Sequence, residues 1–205
     1  MNLTSEFLFR LAAAVVFFGA LFISLAYRLK ARRAQRRADV VNRSGSLSGG
    51  RGLALVRVAT AVVALSIPAY AINPAWVVWG RLALPVWLRW LGVASGLLLL
   101  PALLATLRAL GENITPTAAT RPDHSLVTTG PYRWVRHPLY VVGVGLWLAL
   151  ALVMANVIPA LFGLLGVIFV AVRVPSEEAN LIAHFGEDYR AYMRRTGRFW
   201  PRLSR

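Results

Sequence analysis

The chain has no cysteine, few histidines and few acids: 8 Asp and Glu residues stand against 23 Lys and Arg, with 3 His. Without cysteine it has no disulfides, no thiolate metal ligands and no cysteine nucleophile. The histidines form no His-Glu-x-x-His pair or other recognised metal-ligand spacing, so we predict no metal site. Because no serine lies in a Gly-x-Ser-x-Gly sequence, a serine hydrolase is equally unsupported.

Apolar residues dominate what is present, since 58% of the chain is hydrophobic. Four apolar runs extend from Phe7 to Tyr27, Leu53 to Trp79, Leu82 to Leu107 and Pro138 to Val172. The last run exceeds the roughly 20 residues of one membrane span, and Asn156 and Pro159 interrupt it, which predicts two short helices that turn back on each other. The sequence therefore predicts an all-α integral membrane protein with five transmembrane helices, one pair of which is a short helical hairpin.

The net charge of +15 is concentrated in loop 28–52, in segment 108–136 and in the tail after residue 172. With five spans these regions share one side, which the positive-inside rule makes cytoplasmic, so the N-terminus lies outside and the C-terminus inside. We expect a bacterial inner (cytoplasmic) membrane. The basic loop lacks the interleaved aromatics of a nucleic-acid surface. Its expected partners are therefore membrane lipids rather than nucleic acid, and a polybasic membrane adaptor is the non-enzymatic alternative.

Three arginines depart from this pattern because they lie in or beside apolar runs. Arg10 follows Glu6 by one helical turn, so we predict that the two side chains pair. Arg81 is near enough to a run's end to extend its guanidinium into water. Arg89 has no such explanation in the sequence, since its neighbours are apolar.

Polar side chains that could carry chemistry are concentrated in the second half of the chain, where all three histidines and six of the eight acids follow residue 110. We therefore predict a transmembrane scaffold over residues 1–109, with three spans and the basic cytoplasmic loop 28–52. Residues 110–205 would form the active region, with a ligand-binding loop, the helical hairpin and a C-terminal amphipathic helix. Its site is expected to face the cytosol.

The segment from His124 to Tyr140 sets polar residues directly before an apolar run. Gly130 and the proline after it indicate a turn, and Pro138 suits the first turn of the helix that follows. A helix N-terminus with free N–H groups favours an anionic group, such as a ligand carboxylate. The alternative is an interfacial loop whose aromatic and basic side chains lie among lipid headgroups.

A second polar segment contains Arg173, Glu177 and Glu178. If Pro175 leaves the helix roughly continuous, Arg173 and Glu177 share one face at the i, i+4 spacing. Charged groups at the end of a span are costly unless they face protein or ligand. The alternative is a salt bridge at the membrane edge, followed by an amphipathic helix with an apolar stripe of Leu181, Phe185, Tyr189 and Tyr192.

Two patterns together carry a family resemblance. The first is His124-x-Leu126-Val127-Thr128-x-Gly130-Pro131-Tyr132-x-x-Val135-Arg136-His137-Pro138-x-Tyr140, and the second is Glu177-Glu178 followed by Phe185-Gly186-x-x-Tyr189-x-x-Tyr192. In order, spacing and intervening hairpin they resemble the isoprenylcysteine carboxyl methyltransferase family and its phospholipid methyltransferase relatives. The resemblance covers about the C-terminal half of the chain. One departure is Val142, where relatives often have a small residue.

The resemblance implies S-adenosylmethionine-dependent methyl transfer to a lipophilic acceptor, namely the carboxylate of a prenylcysteine-like or other lipid-like small molecule. Arg173 and Glu177 match the catalytic pair beside the acceptor. A phospholipid or amine N-methyltransferase, with Glu177 as the base, stays open, as do the acceptor's identity and the oligomeric state. The implied cofactor-binding residues are His124, Leu126, Val127, Gly130, Tyr132, Arg136, His137, Pro138, Tyr140, Glu178 and Tyr189.

Overall fold

The computed structural model describes residues 3–38, 62, 64–111 and 125–202. In these ranges the chain consists of helices and irregular segments, with two isolated β-bridges and no strand, which confirms the all-α prediction for this part of the chain. The elements are α1 (Leu3–Ala38), α2 (64–72), a 3₁₀ helix (Pro74–Gly80), α3 (Val86–Leu110), a second 3₁₀ helix (Gly130–Arg133), α4 (Pro138–Met154), α5 (Val157–Phe185) and α6 (Glu187–Arg195).

Three of these helices are long and apolar enough to cross a membrane: Thr4–Ala31 within α1, Val86–Leu110 and Val157–Phe185. Helix α4 is apolar but shorter. The predicted span from Leu53 to Trp79 lies partly outside the described residues. Within the described part the α-helix ends at residue 72, and the chain continues as the first 3₁₀ helix. Asn73 caps that 3₁₀ helix by accepting a hydrogen bond from the Ala75 amide. Five spans and the orientation stay predictions.

The predicted hairpin forms, and its turn lies where the sequence indicated. Ala155 has a φ of 47°, and Asn156 is 2% exposed. The Asn156 side chain accepts a hydrogen bond from the Ile158 amide at 2.9 Å and donates to the Val77 carbonyl at 2.9 Å. It therefore both caps α5 and satisfies a carbonyl of the first 3₁₀ helix.

The second helix of the hairpin is not short, contrary to the prediction, because α5 continues through Pro175 to Phe185. It ends at Gly186, whose φ of 56° suits glycine at the residue after a helix. The Gly186 amide donates to the Ile182 carbonyl at 2.8 Å, and α6 begins at the next residue. The predicted C-terminal amphipathic helix is α6, in which Tyr189 and Tyr192 are buried, while Leu181 and Phe185 of the expected apolar stripe lie on α5.

The chain packs as two compact units. One contains Met1–Phe22, Ser46–Leu100 and Val144–Gly166, and the other contains Ile23–Gly45, Pro101–Gly143 and Val167–Arg205. The predicted division between residues 109 and 110 separates two functional regions rather than two packing units, and it stays a prediction. The unit that contains Met1–Phe22 is the first unit, and the other is the second unit.

Close helix packing distinguishes the first unit. A Cβ on Gly92 of α3 would lie 2.7 Å from the Leu152 Cβ and 2.9 Å from the Ala149 carbonyl oxygen of α4. A Cβ on Gly96 would lie 2.8 Å from a methyl of Val16 on α1. Small residues at such contacts let helices approach closely in membranes, where dispersion forces replace the hydrophobic drive between helices.

Arg89 of the first unit, unexplained by the sequence, is buried and ion-paired. Its Nη1 lies 2.9 Å from Glu6 Oε2, its Nη2 donates to the Tyr70 hydroxyl at 2.7 Å, and its Nε donates to the Val153 carbonyl at 3.0 Å. The predicted Arg10–Glu6 pair was wrong. Arg10 instead donates to the backbone carbonyls of Ala71 and Ile72 at the end of α2. Glu6 pairs with Arg89, because a buried guanidinium needs a counter-ion.

Candidate functional site

The predicted ligand-binding loop is described from residue 125 onward, so His124 lies outside the described residues. Gly130 has a φ of 59°, and a Cβ there would lie 3.1 Å from the Ala109 Cβ, which are two reasons for glycine at this turn. The turn leads into the 3₁₀ helix, where Tyr132 is 8% exposed. Leu126 and Val127 are half-buried in the irregular segment that precedes it.

Residues 196–200, which we call the return segment, run back to the turn that precedes α4. The Arg136 amide donates to the Gly197 carbonyl at 2.8 Å, and the His137 amide donates to the Arg198 carbonyl at 3.2 Å. The Gly197 amide donates to the Trp134 carbonyl at 3.3 Å. These bonds fix the backbone of the Arg-His-Pro sequence directly before Pro138 opens α4.

Glu178 is the centre of an ion cluster in the second unit. Its Oε1 accepts a hydrogen bond from Arg136 Nε at 2.9 Å and lies 3.3 Å from His137 Nε2. Its Oε2 accepts one from Arg198 Nη2. The Glu178 and His137 side chains are each 4% exposed, and Arg136 also donates to the Thr196 carbonyl at 2.5 Å. A buried carboxylate is stable here because charged donors occupy both of its oxygens.

Arg173, Glu177 and Tyr140 form a second, more open cluster. The Tyr140 hydroxyl donates to Glu177 Oε2 at 2.8 Å and accepts a hydrogen bond from Arg173 Nε at 3.1 Å. Arg173 Nε and Glu177 Oε2 are 3.9 Å apart, which confirms the predicted i, i+4 pair, and the two side chains are 28% and 27% exposed. Tyr140 therefore holds the arginine through Nε, while no described residue hydrogen-bonds to its two terminal nitrogens.

Three tyrosines lie beside these clusters. The Tyr192 hydroxyl donates to the Tyr132 carbonyl at 2.6 Å, and the Tyr189 and Tyr192 rings are 5.9 Å apart. Burial raises the pKa of Tyr192 to about 12 and also raises the pKa values of Tyr132 and Tyr189, so all three stay neutral donors. The buried Tyr189 hydroxyl has no hydrogen-bond partner among the described residues.

The structure brings six of the thirteen predicted site residues together, in two groups. Arg136, His137 and Glu178 form one cluster, while Tyr140, Arg173 and Glu177 form the other. The sequence did not predict the role of the return segment. Arg198 was interpreted only as part of the basic tail. Its one distinguishing signal in the sequence is the aromatic pair that follows it. The first of these aromatics, Phe199, has its ring centroid 6.0 Å from that of His137.

Comparison with known proteins bears on the same region. Residues 91–183 match the model of the isoprenylcysteine carboxyl methyltransferase (ICMT) family. Protein-S-isoprenylcysteine O-methyltransferase of Schizosaccharomyces pombe is 36% identical over 89 residues, which are 42% of this chain and 37% of that protein. Cobalt-zinc-cadmium resistance protein CzcN of Cupriavidus metallidurans is 33% identical over 111 residues, which are 50% of this chain and 51% of that protein.

A solved structure has a similar fold. The eukaryotic intramembrane Ras methyltransferase ICMT matches with a TM-score of 0.58 at 20% sequence identity, over 93% of this chain and 67% of that one. At this identity the match concerns the fold alone. The chain spans about half or less of the length of the curated relatives that it matches.

Proposed function

We propose that the chain is an integral membrane methyltransferase of the isoprenylcysteine carboxyl methyltransferase family, because residues 91–183 match that family's model. The proposed reaction transfers a methyl group from S-adenosylmethionine to the carboxylate of a prenylcysteine-like or other lipid-like acceptor. We further propose that the site faces the cytosol, in accord with the basic residues around it.

The proposal depends chiefly on how the Arg173 guanidinium is bonded and exposed. Tyr140 binds its Nε, and no described residue occupies the two terminal nitrogens of a side chain that is 28% exposed. A guanidinium held in this way presents two parallel donors, which match the two oxygens of a carboxylate. Arg173 lies on α5, one of the helices apolar enough to span a membrane, so an acceptor with a lipid tail suits its surroundings.

The proposed cofactor is supported by the Tyr189 hydroxyl. A buried hydroxyl without a partner costs roughly 1–3 kcal/mol, a cost that a hydrogen-bonding ligand would remove. Tyr189 lies within electrostatic range of Glu178 and Arg136, both predicted cofactor-binding residues. The cofactor would be held by this group together with the other implied residues, and when bound it supplies a sulfonium methyl that is already electrophilic.

The chain's own task is then alignment and exclusion of water rather than nucleophilic attack. Tyr140 and Glu177 orient Arg173, which would hold the acceptor carboxylate by charge-assisted hydrogen bonds. A carboxylate acceptor needs no base. An amine acceptor would need one, and Glu177 is the candidate because its side chain is 27% exposed and beside the arginine.

The test is methyl transfer with labelled S-adenosylmethionine, using the full chain in membranes and N-acetyl-S-farnesylcysteine as acceptor. We expect label that base releases, as from an ester, and a loss of about ten- to a hundredfold in Arg173→Ala, since a charge-assisted hydrogen bond contributes about 1.5–3 kcal/mol. Arg190→Ala, which removes an exposed arginine on α6, is the control and should remain active.

Two results would contradict the proposal. Base-stable label on lipid would favour the amine alternative, in which Glu177→Gln should abolish activity. No transfer to any lipid extract by a folded protein would argue against the enzyme itself. An adaptor acting through loop 28–52 would then be the better account, and its function should survive Arg173→Ala.

A further inference from the structure

A cavity of about 290 Å³ lies in the first unit, among residues that the proposed methyl transfer does not use. Its polar lining includes Glu6, Tyr70, Arg81, Arg89 and Asn156, and its apolar lining includes valines of the first 3₁₀ helix and a methionine of α4. Charged side chains inside membrane proteins are costly to keep and commonly mark ligand or ion sites. The cavity is therefore a candidate site in its own right.

The charge around the cavity is unbalanced. Glu6 and Arg89 neutralise each other through a contact of 2.9 Å. Arg81, a second arginine in the lining, is exposed, and no described residue forms an ion pair or hydrogen bond with its side chain. The ionised side chains of the lining are thus one carboxylate and two guanidinium groups, which leaves a net positive charge for an anion to neutralise.

Arg81 is held at the backbone, although no described residue hydrogen-bonds to its side chain. Its amide donates to the Val78 carbonyl at 3.0 Å, and a β-bridge joins it to Asn156 at the turn between α4 and α5. A Cβ on the preceding Gly80 would lie 2.9 Å from Asn156 Oδ1, so the two segments are in close contact. The guanidinium therefore extends from a fixed point on the cavity wall.

The surroundings indicate which anion suits the site. Trp76 and Trp79 flank this part of the chain and are 58% and 71% exposed, and exposed tryptophan is enriched at the depth of lipid headgroups. Apolar lining beside a basic group matches a molecule that is anionic at one end and hydrocarbon at the other. A guanidinium binds phosphate oxygens through two parallel donors.

We propose that this cavity is a binding site for the phosphate group of an anionic phospholipid, with Arg81 as the contacting residue. The Glu6–Tyr70–Arg89 cluster supplies part of the cavity's polar lining. The site is independent of the methyl-transfer proposal, because none of its lining residues belongs to the predicted catalytic or cofactor sets.

The test uses the full chain in nanodiscs of phosphatidylcholine with and without phosphatidylglycerol, and counts the lipid retained after detergent release by native mass spectrometry. Wild type should retain phosphatidylglycerol in preference to phosphatidylcholine, and Arg81→Gln should bind it at least about tenfold more weakly. Arg108→Gln removes the same charge from an exposed arginine outside the cavity and should match wild type.

A second arm adds inorganic phosphate to lipid-free detergent samples and follows the midpoint of thermal unfolding. A saturable rise that Arg81→Gln abolishes, without retention of phosphatidylglycerol, would support the phosphate site and assign it a soluble ligand. Equal behaviour of wild type and Arg81→Gln in both arms would overturn the proposal. Equal weakening by Arg108→Gln would also overturn it, because the effect would then be one of overall charge.

Discussion

Two ion clusters in the part of the chain that the structure describes are built differently. In the first unit a single carboxylate, Glu6, meets a single buried guanidinium, Arg89, and a tyrosine completes the pair. In the second unit Glu178 meets Arg136, Arg198 and His137. The Glu6–Arg89 pair contains one charge of each sign, and the Glu178 cluster has more positive than negative charge.

This difference indicates different tasks. A balanced pair removes the penalty of a buried charge and joins the helices that contribute to it. A cluster with surplus positive charge keeps an attraction for an anionic group, and in this protein it lies among residues that we propose bind the cofactor. Its carboxylate acts as the anchor that holds the cations in place.

The largest expected effect is therefore at Glu178. Glu178→Gln leaves the buried Arg136 without its counter-ion, which should lower the free energy of unfolding by about 3–5 kcal/mol. Chemical denaturation in detergent measures this. Glu187→Gln is the matched control, since Glu187 also pairs with two arginines but is 67% exposed, and it should change stability by less than about 1 kcal/mol. Equal effects at both positions would remove the distinction between anchor and surface pair.

A smaller effect is expected in the first unit, because Glu6 is 21% exposed. Glu6→Gln should cost about 1–3 kcal/mol, as should Arg89→Met, because each leaves one charged partner behind. The double variant should recover much of the loss, since replacing both members of a balanced pair is often nearly neutral. Denaturation of the four proteins forms a double-mutant cycle. Additive losses would contradict the interpretation of this cluster as a self-contained pair.

Several local features could be predicted from the sequence. The i, i+4 pair of Arg173 and Glu177, the turn at Asn156 and the start of α4 at Pro138 depend on local spacing and helix-capping chemistry, and the structure confirms them. The cofactor and acceptor roles came from the family resemblance and stay predictions.

Other features required the folded chain. Glu6 and Arg89 are 83 residues apart in sequence, and no periodicity relates them. The local rule predicted Arg10 as the partner of Glu6 because it considers one helix at a time. Local rules left open whether the helix continues through Pro175, since the cost of a proline depends on the packing around it. Arg198 was missed because its role depends on the return segment reaching the turn before α4.

Tyr189 offers the most direct test of the proposed cofactor site, because it separates ligand binding from structural support. Its hydroxyl is buried with no hydrogen-bond partner among the described residues, whereas the hydroxyl of Tyr192 donates to the Tyr132 carbonyl. Tyr192→Phe should therefore lose about 1 kcal/mol of stability. Tyr189→Phe should lose none, since it removes an unsatisfied polar atom.

The deciding measurement is calorimetric titration of S-adenosylhomocysteine into wild type and Tyr189→Phe, each shown to be folded. We predict that wild type binds and that Tyr189→Phe binds about tenfold more weakly at unchanged stability. No binding by wild type, or equal binding by the two proteins, would contradict the assignment of this region as the cofactor site.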